Sequence, residues 1–126
     1  MSTEVKLDEA RRRVLVTVLP GPETTTVADT ALSLTRDRPA LGAWDWVIDT
    51  RNPHTKATLE EVEAIAAAFN AVGGDKGHTI FVSHDPVTYQ RCALMQRKFN
   101  GRRHLVARSP LEAERLLPLP PHEYLF

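Results

Sequence analysis

The chain has 126 residues, and its sixteen basic and sixteen acidic side chains balance to a net charge of zero. This length fits one domain with a full core, and the zero charge gives no bulk attraction to nucleic acid or to an anionic membrane. A single cysteine, a polar start without a signal-peptide core, and apolar runs far below the roughly 20 residues of a membrane span predict a cytoplasmic protein without an internal disulfide.

The N-terminal third of the chain predicts a hairpin followed by a helix. The β-branched run "VLVTVL" (14–19) predicts a strand that the next Pro-Gly pair ends, and "EVKLD" (4–8) is expected to pair back onto it. Val27, Ala31 and Leu34 then recur at helical spacing, and a proline five residues after Leu34 stops this helix.

Two further strands enclose the clearest helix of the sequence. "WDWVIDT" (44–50) predicts a buried strand with Trp46 and Ile48 on one face, and "HTIFVSH" (78–84) predicts the next strand. The helix between them has an apolar stripe and an outer face of glutamates, and two glycines end it. The stripe consists of Leu59, Val62, Ile65, Ala66, Phe69 and Val72.

The C-terminal part predicts two helices with a strand between them. Asp85 and Pro86 have the form of an N-cap and a first-turn proline, and they open a helix that carries Cys92 on its apolar face as a buried, structural thiol. "RHLVAR" (103–108) predicts the last strand. "SPLEAERLL" then begins with the cap signal of a final helix.

The order of these elements, β-β-α-β-α-β-α-β-α, defines an α/β fold. Helices between consecutive strands imply right-handed crossovers, so we expect a mixed, mostly parallel five-stranded sheet with about four helices, two or more of them on one face. The N-terminal strand would run antiparallel at one side. We expect one domain over residues 1–117 and a proline-rich tail, "PLPPHEYLF", over residues 118–126.

The motifs of the common enzyme classes are missing from the sequence. It has no Gly-rich phosphate loop, no G-x-G-x-x-G after a strand and no G-x-S-x-G turn, and its five histidines lack the spacing of metal ligands. A phospho-receiver domain would need a pair of acidic residues at the end of its first strand to hold Mg²⁺. The corresponding strand end here reads "LPGPE", which argues against that class. His84 beside Asp85 could act as a general base, but a loop histidine next to a helix cap is the favoured interpretation. We therefore predict no enzyme, no cofactor and no metal site.

Two groups of basic residues need to be compared with a nucleic-acid footprint. They are Arg11–Arg13 and, around the end of the third helix, Arg97, Lys98, Arg102 and Arg103. The net charge is zero, and cations complement the carboxyl end of a helix dipole. We therefore expect a solvated face here and no nucleic-acid partner.

The whole pattern resembles a STAS domain, the fold of anti-sigma-factor antagonists. The likeness rests on the two-stranded start and on "LPGPETTTVADTALSL", "WDWVIDTRNPHTKATLEEVEAIAAAF", "HTIFVS" and "SPLEAERLL", which together cover nearly the whole chain. The family signature, Asp-Ser-Ser-Gly, falls on Ala57, Thr58, Leu59 and Glu60. The resemblance implies a regulatory protein in which Thr58 takes the place of the phosphorylated serine. The other three positions depart from the signature, and the chain is therefore closer to divergent bacterial members than to the phospho-switched regulators.

Thr58 has a second interpretation that comes from the residues alone. Thr58 and Glu61 have the spacing of a capping box, in which the threonine hydroxyl accepts from the Glu61 N–H and stabilises the helix by about 1 kcal/mol. Phosphate at the same hydroxyl would be favoured by the helix dipole but repelled by Glu60 and Glu61. Thr58 is therefore a phospho-acceptor candidate, with the structural cap as the favoured role.

Two classes of function remain open. The first is a non-catalytic regulatory or protein-interaction module that uses the strand-to-helix loop, with partner contacts expected from Asp49, Arg51, His54, Thr55 and Lys56. The second is a domain that binds a small apolar molecule or a lipid in a groove left by the alanine-rich helix, although close helix packing explains those alanines as well. The tail, which ends in "YLF", is expected to lie against a surface, either of its own domain or of a second subunit, with a homodimer contact slightly favoured.

Overall fold

The computed structural model describes residues 2–20, 27–51, 59–71, 77–98 and 102–117. Five strands and four α-helices occupy this part of the chain. The strands are β1 (Ser2–Asp8), β2 (Arg13–Leu19), β3 (Asp45–Asp49), β4 (His78–Val82) and β5 (Arg103–Ala107). The helices are α1 (Val27–Asp37), α2 (Leu59–Ala71), α3 (Pro86–Lys98) and α4 (Pro110–Leu116), and a 3-10 helix spans Pro39–Ala43.

The strands form one mixed sheet in the order β1-β2-β3-β4-β5. β1 and β2 are antiparallel, with Val5 opposite Val16, and the other neighbouring pairs are parallel. Arg12 has a φ of 54° in the turn of this hairpin. The α/β class, the N-terminal hairpin and the four helices predicted from the sequence are confirmed.

The helices cover the two faces of the sheet unequally. α1, α2 and α3 pack on one face, where Trp46 and Phe69 meet edge to face with their ring centroids 4.9 Å apart. α4 packs on the other face, where its Ala113 joins a smaller cluster with Val47 and Ile80. Three helices on one face are the expected result of three right-handed crossovers that each add the next strand on the same side of the sheet.

Two details of the helices differ from the sequence-based expectation. The first helix ends at Asp37, and Pro39 opens a 3-10 helix where only a stop was expected, since a proline suits the first position of a helix as well as it ends one. Leu59, assigned to the apolar stripe of α2, is 43% exposed because it is the first residue of the helix and lies at the margin of the core.

The cap signals expected in the C-terminal half are present. The Asp85 carboxylate accepts from the Val87 N–H at 3.0 Å, and the Ser109 hydroxyl accepts from the Glu112 N–H at 3.1 Å. α4 has only seven residues, a length at which a helix has little stability of its own. It therefore depends on this cap and on the burial of Ala113.

We expect Ser109→Ala to lower the free energy of unfolding by about 1 kcal/mol, because the Glu112 N–H then loses its acceptor in the first turn of α4. The matched control is Ser33→Ala on the exposed face of α1, which we expect to change stability by less than about 0.5 kcal/mol. Urea denaturation measures both variants. Equal losses in the two would contradict a capping role for Ser109.

Two of the basic residues expected on a solvated face lie in the interior. Arg13 and Arg102 are each 4% exposed, whereas Arg97 and Arg103 are exposed as expected. The expectation was wrong for Arg102 because unpaired backbone carbonyls at the amino-terminal ends of β3 and β4 face it, and a guanidinium group can supply several donors at once.

The guanidinium of Arg102 connects three elements that are distant in sequence. The guanidinium lies over the Phe69 ring, with 3.9 Å between the guanidinium carbon and the ring centroid. Its donors reach Thr79 Oγ1 at 2.6 Å and the backbone carbonyls of Gly42, Trp44 and His78 at 2.8, 3.0 and 2.9 Å. Gly77 leaves the room for this arrangement, since a Cβ there would overlap the Trp44 carbonyl and lie 2.6 Å from Arg102 Nη1.

Candidate functional site

Polar side chains collect where β3, β4 and β5 end. Because these strands are parallel, their carboxyl ends meet at one edge of the sheet, which is where open α/β domains usually hold functional residues. Asp49 is the last residue of β3, His84 and Asp85 follow β4, and Arg108 follows β5. This edge is called the carboxyl edge below.

Hydrogen bonds beyond the strands fasten the three strand ends to each other. The N–H and the hydroxyl of Thr50 both donate to the Val82 carbonyl, at 2.9 and 3.0 Å. The Ser83 N–H donates to the Ala107 carbonyl at 3.0 Å, and the Ser83 hydroxyl accepts from the Asp85 N–H at 3.1 Å. The charged side chains of the carboxyl edge therefore extend from strand ends that hydrogen bonds hold together.

Asp49 and Arg51 form an ion pair at this edge. Asp49 Oδ1 accepts from the Arg51 backbone N–H at 3.1 Å and from Nε at 2.9 Å, and Oδ2 accepts from Nη2 at 2.7 Å. Burial alone would raise the pKa of Asp49, but the hydrogen bonds and charge of Arg51, with a further attraction from His84, lower it. The hydrogen bond to Asp49 raises the pKa of Arg51. Both side chains are therefore charged at neutral pH.

His84 and Asp85 do not form the pair that a general base would need. His84 Nε2 lies 3.2 Å from the Arg108 carbonyl oxygen, and since a carbonyl only accepts, Nε2 carries the proton in this contact. The Asp85 carboxylate caps α3 with one oxygen and lies 3.5 Å from Arg91 Nη1 with the other. It is therefore committed to α3 and does not orient the imidazole.

A cleft of about 550 Å³ opens between the start of α3 and the start of α4. Charged or polar side chains line it: His84 from the end of β4, Arg108 from the end of β5 and Glu112 from α4. Tyr89, one turn into α3, also lines the cleft and is 69% exposed. The cleft can offer hydrogen bonds, charges of both signs and one large aromatic surface to a binding partner.

The reactive groups of nucleophilic or metal chemistry are not assembled in the described part of the chain. Cys92 is buried in α3, and burial raises its pKa to about 12, so the thiol stays protonated at neutral pH. The described residues contain no group of three or more His, Cys, Asp or Glu side chains placed to hold a metal ion.

The structure places two of the loop residues predicted to contact a partner, Asp49 and Arg51, together at the carboxyl edge. The other three, at positions 54, 55 and 56 (His54, Thr55 and Lys56), lie outside the described residues, and so does the phospho-acceptor candidate Thr58. The tail over 118–126 lies outside them as well. The roles assigned to these residues remain predictions.

Sequence reasoning missed Arg108, Tyr89 and Glu112 as site residues. Arg108 carried a usable signal, because it follows a predicted strand in the same way as the residues after β3 and β4. Tyr89 and Glu112 carried none, because they meet only when α3 and α4 pack on opposite faces of the sheet and bring their first turns to one end.

Comparisons with protein-family models, with curated proteins and with solved structures found no match to this chain. Separately, none of the helices in the described ranges has the length and apolar character needed to cross a lipid bilayer.

Proposed function

We propose that this protein is a non-catalytic regulatory module, STAS-like in type, that binds another protein through its carboxyl edge. One observation carries the proposal: exposed charges from successive strand ends and an exposed tyrosine line the same open cleft. Tyrosine and arginine are enriched in protein interfaces and are frequent among the residues that dominate binding energy.

The charge pattern of the carboxyl edge supports recognition of a particular partner. Asp49 and Asp85 are acidic, Arg51 and Arg108 are basic, and the two arginines are exposed. Exposed charges of this kind contribute little to the stability of the free protein. Arranged opposite complementary charges they select a partner and accelerate association.

The loop predicted to contact a partner begins beside this cleft. The chain leaves β3 through Asp49 and Arg51 at the carboxyl edge, and it is described again from Leu59, the first residue of α2. The resemblance to STAS domains assigns partner binding to the same strand-to-helix connection. The start of this connection and the cleft therefore both lie at the carboxyl edge, and both arguments support that edge as the binding surface.

Charge reversal at Arg108 tests the proposal. Immobilised wild-type protein, Arg108→Glu and the control Arg36→Glu, an exposed arginine at the end of α1, are incubated with a lysate of the source organism, and retained proteins are identified by mass spectrometry. A purified partner is then titrated against all three. We expect the control to bind like the wild type and Arg108→Glu to bind at least tenfold more weakly, because a complementary contact becomes a repulsion.

A purified partner that binds all three proteins with the same affinity would refute the carboxyl edge as the binding surface. Phosphopeptide mapping after incubation with lysate and ATP tests, in the same experiment, whether Thr58 is modified. A partner that binds only one modification state would extend the proposal to a phosphorylation switch.

The alternative of a small apolar ligand gains no support from the alanine-rich helix. Ala66 and Ala68 of α2 are packed in the main core. The described residues of α2 line neither the cleft at the carboxyl edge nor a second groove that runs along β5. Close packing against the sheet is a sufficient reason for these two small side chains, whereas Ala64, Ala67 and Ala71 of the same helix are exposed. Native mass spectrometry of the protein as purified tests this alternative directly.

A further inference from the structure

The last strand of the sheet has an open edge. Within the described residues β5 pairs only with β4, and the Ala107 carbonyl accepts from the Ser83 N–H on that side. Backbone groups alternate along a strand, so His104 and Val106 direct their N–H and C=O groups away from β4. The His104 N–H confirms this direction, because it donates to the side-chain oxygen of Gln96, at 2.9 Å. Such an edge is a template for another strand.

A groove of about 320 Å³ runs around this edge from one face of the sheet to the other. On one face it is bounded by Tyr89 and Ala93 of α3, and on the other by Leu116 of α4, with Leu105 and Val106 at its base. Tyr89 and Leu116, which border the groove on the two faces of the sheet, are 69% and 45% exposed.

We propose that β5 pairs antiparallel with β5 of a second copy of this chain, which extends the sheet across a two-fold axis at Leu105. In this register Leu105 faces its own counterpart on one face, and His104 lies opposite Val106 of the other copy on the other face. The pairs join apolar side chains or place a neutral imidazole beside valine. The exposed Leu116 becomes covered by the second copy.

Charge complementarity selects this occupant and this orientation. Arg103 and Glu112 are both exposed, and neither has an ion-pair partner among the described residues. Arg103 shares a sheet face with Ala107, and Glu112 lines the cleft next to Ala107. In the antiparallel pair Arg103 of one copy lies opposite Ala107 of the other, within reach of its Glu112. The two-fold axis repeats the contact, so the dimer gains two ion pairs.

Two of the four backbone hydrogen bonds of the proposed strand pair use groups that are already free in the monomer. The Val106 N–H of each copy can donate to the His104 carbonyl of the other without any change in the monomer, which gives two hydrogen bonds. Two more, from the His104 N–H to Val106, require Gln96 to release its contact. Gln96 therefore covers the edge in the free chain, as a side chain that protects an edge strand does.

The tail of the same chain is a less suitable occupant. α4 packs on the face opposite α1, α2 and α3, so a parallel strand that followed α4 and extended the sheet beyond β5 would form a left-handed crossover, which is rare. The tail sequence also contains three prolines among its first four residues, and proline cannot donate to a ladder.

Charge exchange at the proposed contact tests the dimer in the full-length protein. Sedimentation equilibrium from about 1 µM to about 1 mM measures the dissociation constant of the wild type and of Arg103→Glu, Glu112→Arg and the double variant. We expect each single variant to weaken dimerisation at least tenfold and the double variant to return to within about threefold of the wild type, because the exchanged pairs attract again. Arg36→Glu, at the far side of the sheet, is the control and should dimerise like the wild type.

Circular dichroism of each variant establishes that it folds, and recovery in the double variant cannot arise from misfolding. A wild type that stays monomeric over the whole concentration range would overturn the proposal. So would a dimer that is indifferent to both single variants. A dimer that only the combined Tyr124→Ser, Leu125→Ser and Phe126→Ser substitution dissociates would assign the interface to the tail and would equally overturn it.

Discussion

Replacing Arg102 with methionine is expected to lower the free energy of unfolding by about 4 kcal/mol. Methionine keeps much of the volume but removes every donor. The acceptors it leaves unpaired are the Thr79 hydroxyl and the carbonyls of Gly42, Trp44 and His78. Each buried acceptor without a partner is unfavourable by about 1–3 kcal/mol, and relaxation or water entry recovers part of the sum. A loss of this size is a large fraction of the stability of a small domain.

Urea denaturation of Arg102→Met, Arg102→Lys and the control Arg36→Met measures this effect. Lysine retains a charge but has one nitrogen with three donors in place of the planar guanidinium, so we expect an intermediate loss. Arg36 is exposed in the last turn of α1, and its replacement should change stability by less than about 0.5 kcal/mol. If Arg102→Met lost no more than this control, the hydrogen bonds of the guanidinium would have no net stabilising effect.

Acid is expected to destabilise the protein through His104. This side chain is 7% exposed, and neither ring nitrogen has a hydrogen-bond partner within the described residues. Burial, together with the nearby charge of Arg102, lowers the pKa of His104 from 6.5 to about 4. Arg103 follows it in the chain, and the side chains of α3 that border the same groove, Cys92 and Gln96 among them, carry no negative charge to favour the imidazolium.

The direction of the pH effect follows from proton binding in the two states. Above pH 6.5 His104 is neutral in both the folded and the unfolded chain, and the protein keeps its full stability. Between pH 6.5 and 4 the unfolded chain binds a proton that the folded chain does not, so stability falls as the pH falls. The pKa difference corresponds to a loss of about 3 kcal/mol once the pH reaches 4.

His104→Leu should be close to neutral or stabilising at pH 7.5, because it removes a buried polar group that has no partner. At pH 4.5 it should exceed the wild type by about 2–3 kcal/mol. Denaturation curves at pH 7.5, 6.0 and 4.5 measure this difference, and carboxylates that also titrate, such as Asp49, cancel between the two proteins. Ser33→Ala, at an exposed position of α1 that carries no titratable group, is the control and should follow the wild type. Parallel pH profiles of His104→Leu and wild type would contradict the prediction.

The strands, the helices and their order could be predicted because each rests on a local pattern. The β-branched run that became β2, the apolar stripe of α2 and the cap residues Asp85 and Ser109 act within a few positions of each other. Alternation of strands and helices then restricts the topology, since crossovers have one hand. Short-range periodicity and chirality were sufficient for the mixed, mostly parallel sheet with its antiparallel N-terminal strand, whereas the order of the strands comes from the structure.

The candidate site could be predicted only in part. Asp49 and Arg51 follow a predicted strand, and the ends of parallel strands meet, so their place at the carboxyl edge was available from the sequence. Tyr89 and Glu112 were not, because their proximity depends on α3 and α4 covering opposite faces of the sheet. Such a contact is a property of helix packing and leaves no periodic trace in either helix.

The charged residues show most clearly which properties the sequence determines and which depend on the tertiary structure. By itself the sequence determined the fold class, the caps at Asp85 and Ser109 and the zero net charge, because these depend on neighbours along the chain or on simple counts. Only the tertiary structure decided that Arg102 is a buried donor to the 3-10 helix, its C-cap and β4, while the adjacent Arg103 is an exposed charge at an open edge. An arginine is buried when unpaired carbonyls surround it, and those carbonyls come together only after the strands have paired.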